Sequence, residues 1–575
     1  MAQILFDQIR DFTGGVNYRA DQFQLAKNES PFILNMEVDP RGGVFTRAGY
    51  KKKHTNAVVT PATTWLPKGL YNYEYPLSPR IMLTTGYTST GPVDGKVFVS
   101  SGGNFTELNS AVSTPIAVKS TNGASFAQWE DILYIALGKN QTQMVKWTAG
   151  DTYTTALAAS GPTWQPYDTG GSGYMPRAEL CISHANKLFV ANTYEDGTAY
   201  PNRIRWSHEN LPEAWYQQDY IDIIAGGEGI RGIQVLDGQL VIFKPKAVYL
   251  LMGYDADSFQ LVELTTVVGI DYPQQAVAGS GGVYFFDYPL GLFFIDRNGI
   301  RNLFDRLKPI IDTDRVNSSL LSTVTCSFMN DRLWLSMPFD IFDTGSNPNY
   351  VNCNFVFDPS IGPQGAFTLF QSATYDNSLD TDVPGWGLVS GIDWKDSTDA
   401  AWHLAIMPDS YFPFVMYVDE YANVYDDLGT GDDDGDIASY YKTSWFYDDR
   451  YVQDKTFVKS LYVVKEVESE TQIRVDVYHD FNTLDTVTSS TLALIPTSTG
   501  GLYGTATYST DGSGGVYGNQ ALRQGIQVGG RLKTAKAVQL EFIGPTGDFT
   551  NTPGRAWGLN SIAFKYKRRK IRSNK

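Results

Sequence analysis

The chain has 575 residues, 42% hydrophobic and 19% charged, with a formal net charge of −16. That length calls for several domains or one large repetitive one, and the composition excludes a disordered chain. The acidic balance argues against general nucleic-acid binding, which needs clustered Lys and Arg.

The 54 Gly, 35 Tyr and 31 Phe fit many short strands joined by tight turns. No apolar run reaches the roughly 18 residues of a membrane-spanning helix. The first 15 residues carry Asp7 and Asp11 and no apolar core, unlike a secretory signal. Three cysteines, Cys181, Cys326 and Cys353, cannot staple a chain of this size, so folding in a reducing cytoplasm is expected.

In chain order, residues 1–64 read as an extended arm with a short helix near Asp21 to Asn28, ended by Ser30-Pro31. A repeat follows: a turn or polar residue, then an apolar strand, then a second strand after a short gap. Its markers are Ile81, Leu133, Leu188, Leu240, Val283, Leu333 and Leu404, spaced 52, 55, 52, 43, 50 and 71 residues apart. The partner strands are Lys96 to Val99, Met144 to Trp147, Arg203 to Trp206, Ala247 to Leu250, Gly291 to Phe294, Asn354 to Phe357 and Phe414 to Tyr417. Asp94-Gly95, Asp237-Gly238 and Asn298-Gly299 punctuate them as turns. One hairpin cannot bury both faces, whereas radially stacked sheets can, so residues 65–430 are expected to form a β-propeller of six or seven blades. Unrelated hairpins stacked as sandwiches are the alternative.

Residues 419–436 hold eight acidic residues and no basic one, which marks a domain boundary, an exposed loop or a charged wall. Residues 437–575 alternate apolar and polar positions and are expected to form an antiparallel β-sandwich. Seven basic residues crowd the last eleven, Lys565 to Lys575. This basic tail is either a solvated end or an arm that docks on an acidic neighbour or touches nucleic acid. The expected class is all-β.

No catalytic or binding constellation emerges. Ser509-Thr510-Asp511-Gly512 approaches a sialidase Asp-box, but Ser513 stands where that motif needs Gly. The five histidines, His54, His184, His208, His403 and His479, show neither helical i, i+4 spacing nor a cysteine partner. Asp432 to Asp436 is oxygen-rich, yet taking Gly435 as the turn glycine puts Thr430 and Tyr441 at positions where a calcium loop needs carboxylates. There is no Walker loop, no GxGxxG after a strand and no GxSxG. The cysteines sit in or beside apolar strands as structural thiols. The expectation is no enzyme, no metal and no cofactor.

Two blocks carry a family resemblance. The first is Thr13-Gly14-Gly15-Val16-Asn17, Asp21, Leu25, Asn28-Glu29, Asn35-Met36 and Arg41 to Tyr50; the second is Asn202 to Ser207, Pro212 to Trp215, Asp222-Ile223, Gly229 to Ile233, Leu236 to Lys244 and Val248-Tyr249. Together they span about a quarter of the chain and resemble the tail nozzle, or tail tubular protein, of podovirus-like tailed bacteriophages. The resemblance implies a structural virion protein in a homo-oligomeric ring, a hexamer in the family. Such a ring forms the distal tail tube, docks the head–tail adaptor and tail fibres, and conducts and retains phage DNA without specific binding. It also implies a location in the virion tail, assembled in the host cytoplasm. This chain is short for the larger nozzles, which puts extra knob or fibre-docking domains in question. An acidic lumen would suit such a conduit, because like charge keeps DNA off the wall. A receptor-binding or glycan-degrading tail protein and a free propeller scaffold are the alternatives.

Overall fold

A computed structural model describes residues 4–21, 24–53, 67–75, 78–86, 94–101, 104–108, 116–139, 143–149, 155–156, 176–195, 197–225, 228–312, 315–345, 348–361, 364–372, 375–377, 381–383, 385–407, 415–418, 426–427, 435–447, 456–465, 471–482, 488–494, 522–526, 537–544 and 557–568. Among them the protein is nearly all β, with one five-residue α-helix, Lys308–Asp312, and short 3-10 turns such as Pro273–Gln275. Two compact units divide the chain. A terminal body holds residues 1–51, 355–385 and 418–575; a repeat body holds 52–354 and 386–417.

The repeat body contains seven antiparallel modules in chain order. The first five are four-stranded meanders: Pro67–Tyr73 to Asn104–Glu107, Ser125–Trp129 to Thr155–Ala156, Arg177–His184 to Tyr220–Asp222, Gly232–Leu236 to Gln260–Thr265, and Ala276–Gly279 to Gly299–Asn302. The sixth pairs Thr325–Met329 with Arg332–Met337, and the next strand starts at Cys353. The seventh runs Val389–Lys395, Ala401–Ile406 and Val415–Val418. Every repeat marker falls in the second strand of its module, and the described residues of its partner lie in or directly before the next strand, Phe414 falling outside the described residues. Leu188, Leu240 and Val283 each stand second in their strands. All three are fully buried, because a central strand of a sheet packed between two neighbouring modules is covered on both faces and reads as a continuous apolar run.

Shared cores join the modules. Met82, Val97, Leu133 and Trp147 pack the first on the second. Tyr134, Ala136, Leu188 and Val190 pack the second on the third, and Phe189, Ile204, Leu240 and Ile242 the third on the fourth. Phe243, Val248, Val283 and Phe285 pack the fourth on the fifth. Tyr284 stacks on Phe328 of the sixth at 5.8 Å. Asn354 donates to Ser336 Oγ and to the Leu388 carbonyl, both at 2.7 Å, and accepts from Leu388 N, tying the sixth to the seventh. Ile81, Leu83, Leu404 and Ile406 then pack the first on the seventh. Lys53 N donates to the Val415 carbonyl at 2.8 Å, and its ammonium lies 3.0 Å from the Trp402 ring centroid. The first residues of this body therefore fasten its last strand.

In the terminal body, Phe32–Leu34 lies between Ala366–Phe370 and Ser439–Lys442, and the sheet continues through Ala537–Gly544 and Thr471–His479 to Thr488–Leu494. A second sheet orders Ile4–Ile9, Ser561–Arg568, Thr456–Lys465 and Leu522–Ile526. Two expectations change here. The described residues of 21–28 form turns, with Gln24 N and Leu25 N both donating to the Asp21 carbonyl, because one turn of chain cannot offset the cost of helix nucleation. The basic tail is also not wholly an appendage. Lys565 pairs with Phe6 on one side and Ser460 on the other, and Arg568 pairs with Thr456. Residues 569–575, the rest of the tail, lie outside the described residues.

Deletion of residues 565–575 is accordingly expected to lower the melting temperature of the chain, since it removes half of a strand hydrogen-bonded on both sides. Calorimetry of the truncated and intact chains measures this.

Candidate functional site

The first strands of the seven modules line one cavity of about 630 Å³. Their mixed sequences explain why the marker pattern skips them: Gly69, Gly232 and Gly391 and a series of Ser and Gln residues alternate in the lining with Leu70, Leu180, Ile233 and Ile392, which breaks any apolar run. Neighbouring first strands are laced by side chains reaching sideways. Leu70 N donates to Ser390 Oγ (2.8 Å), Gln128 N to Tyr71 OH (3.1 Å) and Cys181 N to Ser125 Oγ (3.1 Å). Gln234 donates to the Ala276 carbonyl at 3.0 Å, Gln275 to that of Leu321 at 3.2 Å, and Gly391 N to Ser327 Oγ at 2.8 Å. Each bond satisfies a polar group turned away from bulk water, where an unmade bond costs about 1–3 kcal/mol.

Lys68 and Glu179 are the charged members of the lining. Glu179 accepts from the Ser120 hydroxyl and, at 3.3 Å, from Lys139 N. Lys68 donates to the Ser322 carbonyl at 3.3 Å, and burial holds its ammonium below the usual lysine range. A second hollow, rimmed by Asn72, Glu74, Glu130 and Asp393, lies where the same strands end. Asp393 there holds His403 Nδ1 at 2.7 Å and Asn330 N at 3.0 Å.

Cys181, Cys326 and Cys353 are free and buried. Burial pushes the Cys181 thiol up to about 12 and the other two higher still, which removes nucleophilic character near neutrality. His208 Nδ1 bonds the Glu209 carbonyl at 3.0 Å, burial lowers His184, and His479 lies 3.9 Å from Asp480. His54 lies outside the described residues, as do Ser509 to Ser513 and Asp432 to Asp434. Asp426–Asp427 and Gly435–Asp436 pair as a backbone ladder. Among the described residues no three His, Cys, Asp or Glu side chains are placed to hold a metal ion, and no helix is long and apolar enough to cross a membrane.

The residues of the two sequence blocks are largely framework. In the terminal body, Arg47 is 1% exposed. It donates to Asn35 Oδ1 (3.0 Å) and to the carbonyls of Ala48 and Gln371 (2.8 Å each), over the Tyr50 ring at 3.9 Å. Gly15, at φ +64°, leaves no room for a Cβ, which would lie 2.8 Å from the Phe367 carbonyl. In the third module Glu195 bonds Arg205 Nη2 at 2.9 Å and Arg203 Nη1 at 3.1 Å. Arg203 also forms a two-pronged pair with Asp222, both contacts 2.8 Å. The rings of Tyr200 and Tyr220 hold that guanidinium from 3.8 Å each. These buried polar clusters were not legible in the sequence, since nothing in the spacing of Glu195, Arg203 and Asp222 announces their meeting.

No protein-family model and no curated protein sequence matches the chain. Among solved structures it is similar to BBS1N from a complex with ARL6DN (10% identity, 66% of this chain and 99% of that one, TM-score 0.37) and to the Dos1 propeller (11%, 65% and 95%, TM-score 0.33). A Trypanosoma rangeli sialidase in complex with sialic acid is similar at 11% identity over 92% and 96% of the two chains, TM-score 0.28.

Two outcomes follow from the geometry. Glu195→Ala leaves two buried guanidinium groups short of their shared carboxylate and is expected to cost about 3–5 kcal/mol in denaturant unfolding. Burial raises Asp287 from 3.8 to about 6, aided by the charge of Asp271 and opposed by the Gly269 N–H. The folded chain then holds a proton that the unfolded chain has released, so this group's contribution is complete below 3.8 and lost as pH rises towards about 6. Melting temperature against pH is expected to fall less across that window for Asp287→Asn than for the unmodified chain.

Proposed function

We propose that the repeat body is a seven-bladed β-propeller, that the terminal body is built around a β-sandwich, and that the chain is a structural subunit of a tailed-phage nozzle. The observation that carries this reading is the place of the resembling residues. Asn35 and Arg47 in the first block, and Arg203, Arg205 and Trp215 in the second, are buried joints. A likeness borne by joints is a likeness of scaffold, as a ring component requires, not of a catalytic pocket.

In this reading about six copies close into a ring, as cyclic symmetry permits, in the virion tail after assembly in the host cytoplasm. The ring docks the head–tail adaptor above and tail fibres at its side, and acts as a conduit, not an enzyme. DNA passes between subunits, not through the cavity of one chain: a duplex whose major groove alone is about 12 Å wide has no room in 630 Å³. The chain's net charge of −16 favours a wall that does not hold phosphate.

Native mass measurement of the purified chain, alone and with the adaptor ring of its virion, tests this. A ring of about six subunits seated on the adaptor is expected; a chain that stays monomeric and ignores the adaptor would overturn the reading. The cavity lies in the size range of small-molecule sites, roughly 300–1,000 Å³, which favours a glycan-degrading tail protein as the second reading. Release of reducing ends from host-surface polysaccharide, abolished by Glu179→Gln, would establish that one.

A further inference from the structure

We propose that the last strand of the fourth module is a docking edge for residues 569–575 of a neighbouring copy of this chain, which add to it as a further strand. The contact rests on the self-assembly proposed above, but not on what the assembly conducts.

The sheet of the fourth module runs Gly232–Leu236, Gln239–Lys244, Ala247–Met252 and Gln260–Thr265. Among the described residues no strand pairs with the outer edge of Gln260–Thr265. At six residues it is the longest described last strand of the first five modules; the others have four, two, three and four. An edge of this kind presents unpaired N–H and C=O groups, and proteins commonly blunt it with Lys, Pro or a bulge. Gln260–Thr265 has neither Lys nor Pro. Its bulge falls at Leu264, between the pairs Glu263–Tyr249 and Thr265–Val248, so Gln260 to Glu263 stay regular.

The surface at this edge is apolar and acidic together. Val262 is 38% exposed, and Met252 and Tyr254, just before the strand, are 37% and 72% exposed. Residues 247–296 contain six acidic residues and no basic one. Asp255, Asp257 and Glu263 among them are exposed. Lys187 of the third module acts on Asp255, but from a buried position.

An occupant must therefore be extended, basic and apolar at one position. Residues 569–575 read Arg-Lys-Ile-Arg-Ser-Asn-Lys, with four basic residues, no acidic one and a single Ile. The described pairing of the strand before them ends at Arg568. Because side chains alternate along a strand, seating Ile571 against Val262 fixes the rest of the match. Lys570 and Arg572 then stand opposite Leu261 and Glu263, so one cation meets Glu263 whichever way the segment runs.

The test co-expresses two full chains, one carrying Val262→Cys and the other Ile571→Cys, and oxidises the purified assembly with diamide. Each chain has one new thiol, and Cys181, Cys326 and Cys353 are buried, so a disulfide joining the two new positions forms only between copies. Directly opposed strand positions lie within disulfide reach. The linked peptide is expected at least about tenfold above a control in which Thr106→Cys, exposed on the last strand of the first module, replaces Val262→Cys. Deleting residues 569–575 should weaken self-association at least about tenfold in sedimentation. It should leave the circular dichroism of the chain unchanged, since Ser561–Arg568 is retained. An assembly whose cross-link does not exceed the Thr106 control, or whose self-association survives the deletion unchanged, would overturn the docking edge and leave the ring standing. A chain that stays monomeric would overturn both.

Discussion

The repeat body depends on closing its circuit of modules. Each module exposes an apolar face until the next covers it, and the first and last stay exposed unless they meet. Two features make them meet: the shared core of Ile81, Leu83, Leu404 and Ile406, and the backbone bond from Lys53 to Val415. Lys53 adds its stem and charge over the Trp402 ring, a contact strengthened by desolvation. The fastening is made by residues distant in sequence, so loop closure is incurred once for the whole circuit.

Once closed, the first strands stand close around a common space, and side-chain bonds replace the missing sheet partner on that edge. Ser390, Tyr71, Ser125, Gln234 and Ser327 each bridge to the backbone or side chain of the adjoining module. These bonds restrain the cavity wall. Scaffold and candidate site are thus made from the same strands.

The polar clusters of Arg47 and of Glu195 show a second economy. Replacing such networks by apolar residues is often neutral or stabilising, so they are poor evidence of extra stability. Their value is geometric. Arg47 reaches Asn35, Ala48 and Gln371 at once, and Glu195 holds two arginines of one strand, of which Arg205 reaches the carbonyls of Tyr216 and Gln217. Both reinforce junctions that backbone hydrogen bonds also make, such as Arg47 N to the Asn35 carbonyl and the pairing of Arg203 with Asp222.

The sequence alone determined the strand-rich class, the seven repeats and the identity of their second and third strands. The reason is that a strand inside a sheet and between two sheets must be apolar on both faces, and that run survives in the primary structure. Leu188, Leu240 and Val283 were therefore readable. Tertiary structure decided what such a signal cannot carry. The first strands, as at Gly232 and Ser390 to Ile392, face a cavity and lack a run. Residues 1–51 belong to the same body as 418–575, a pairing between distant segments that leaves no local period. Lys565 to Lys567 look like part of a charged tail, yet pairing on both edges makes them a central strand, since backbone amides pair regardless of the side chains above them.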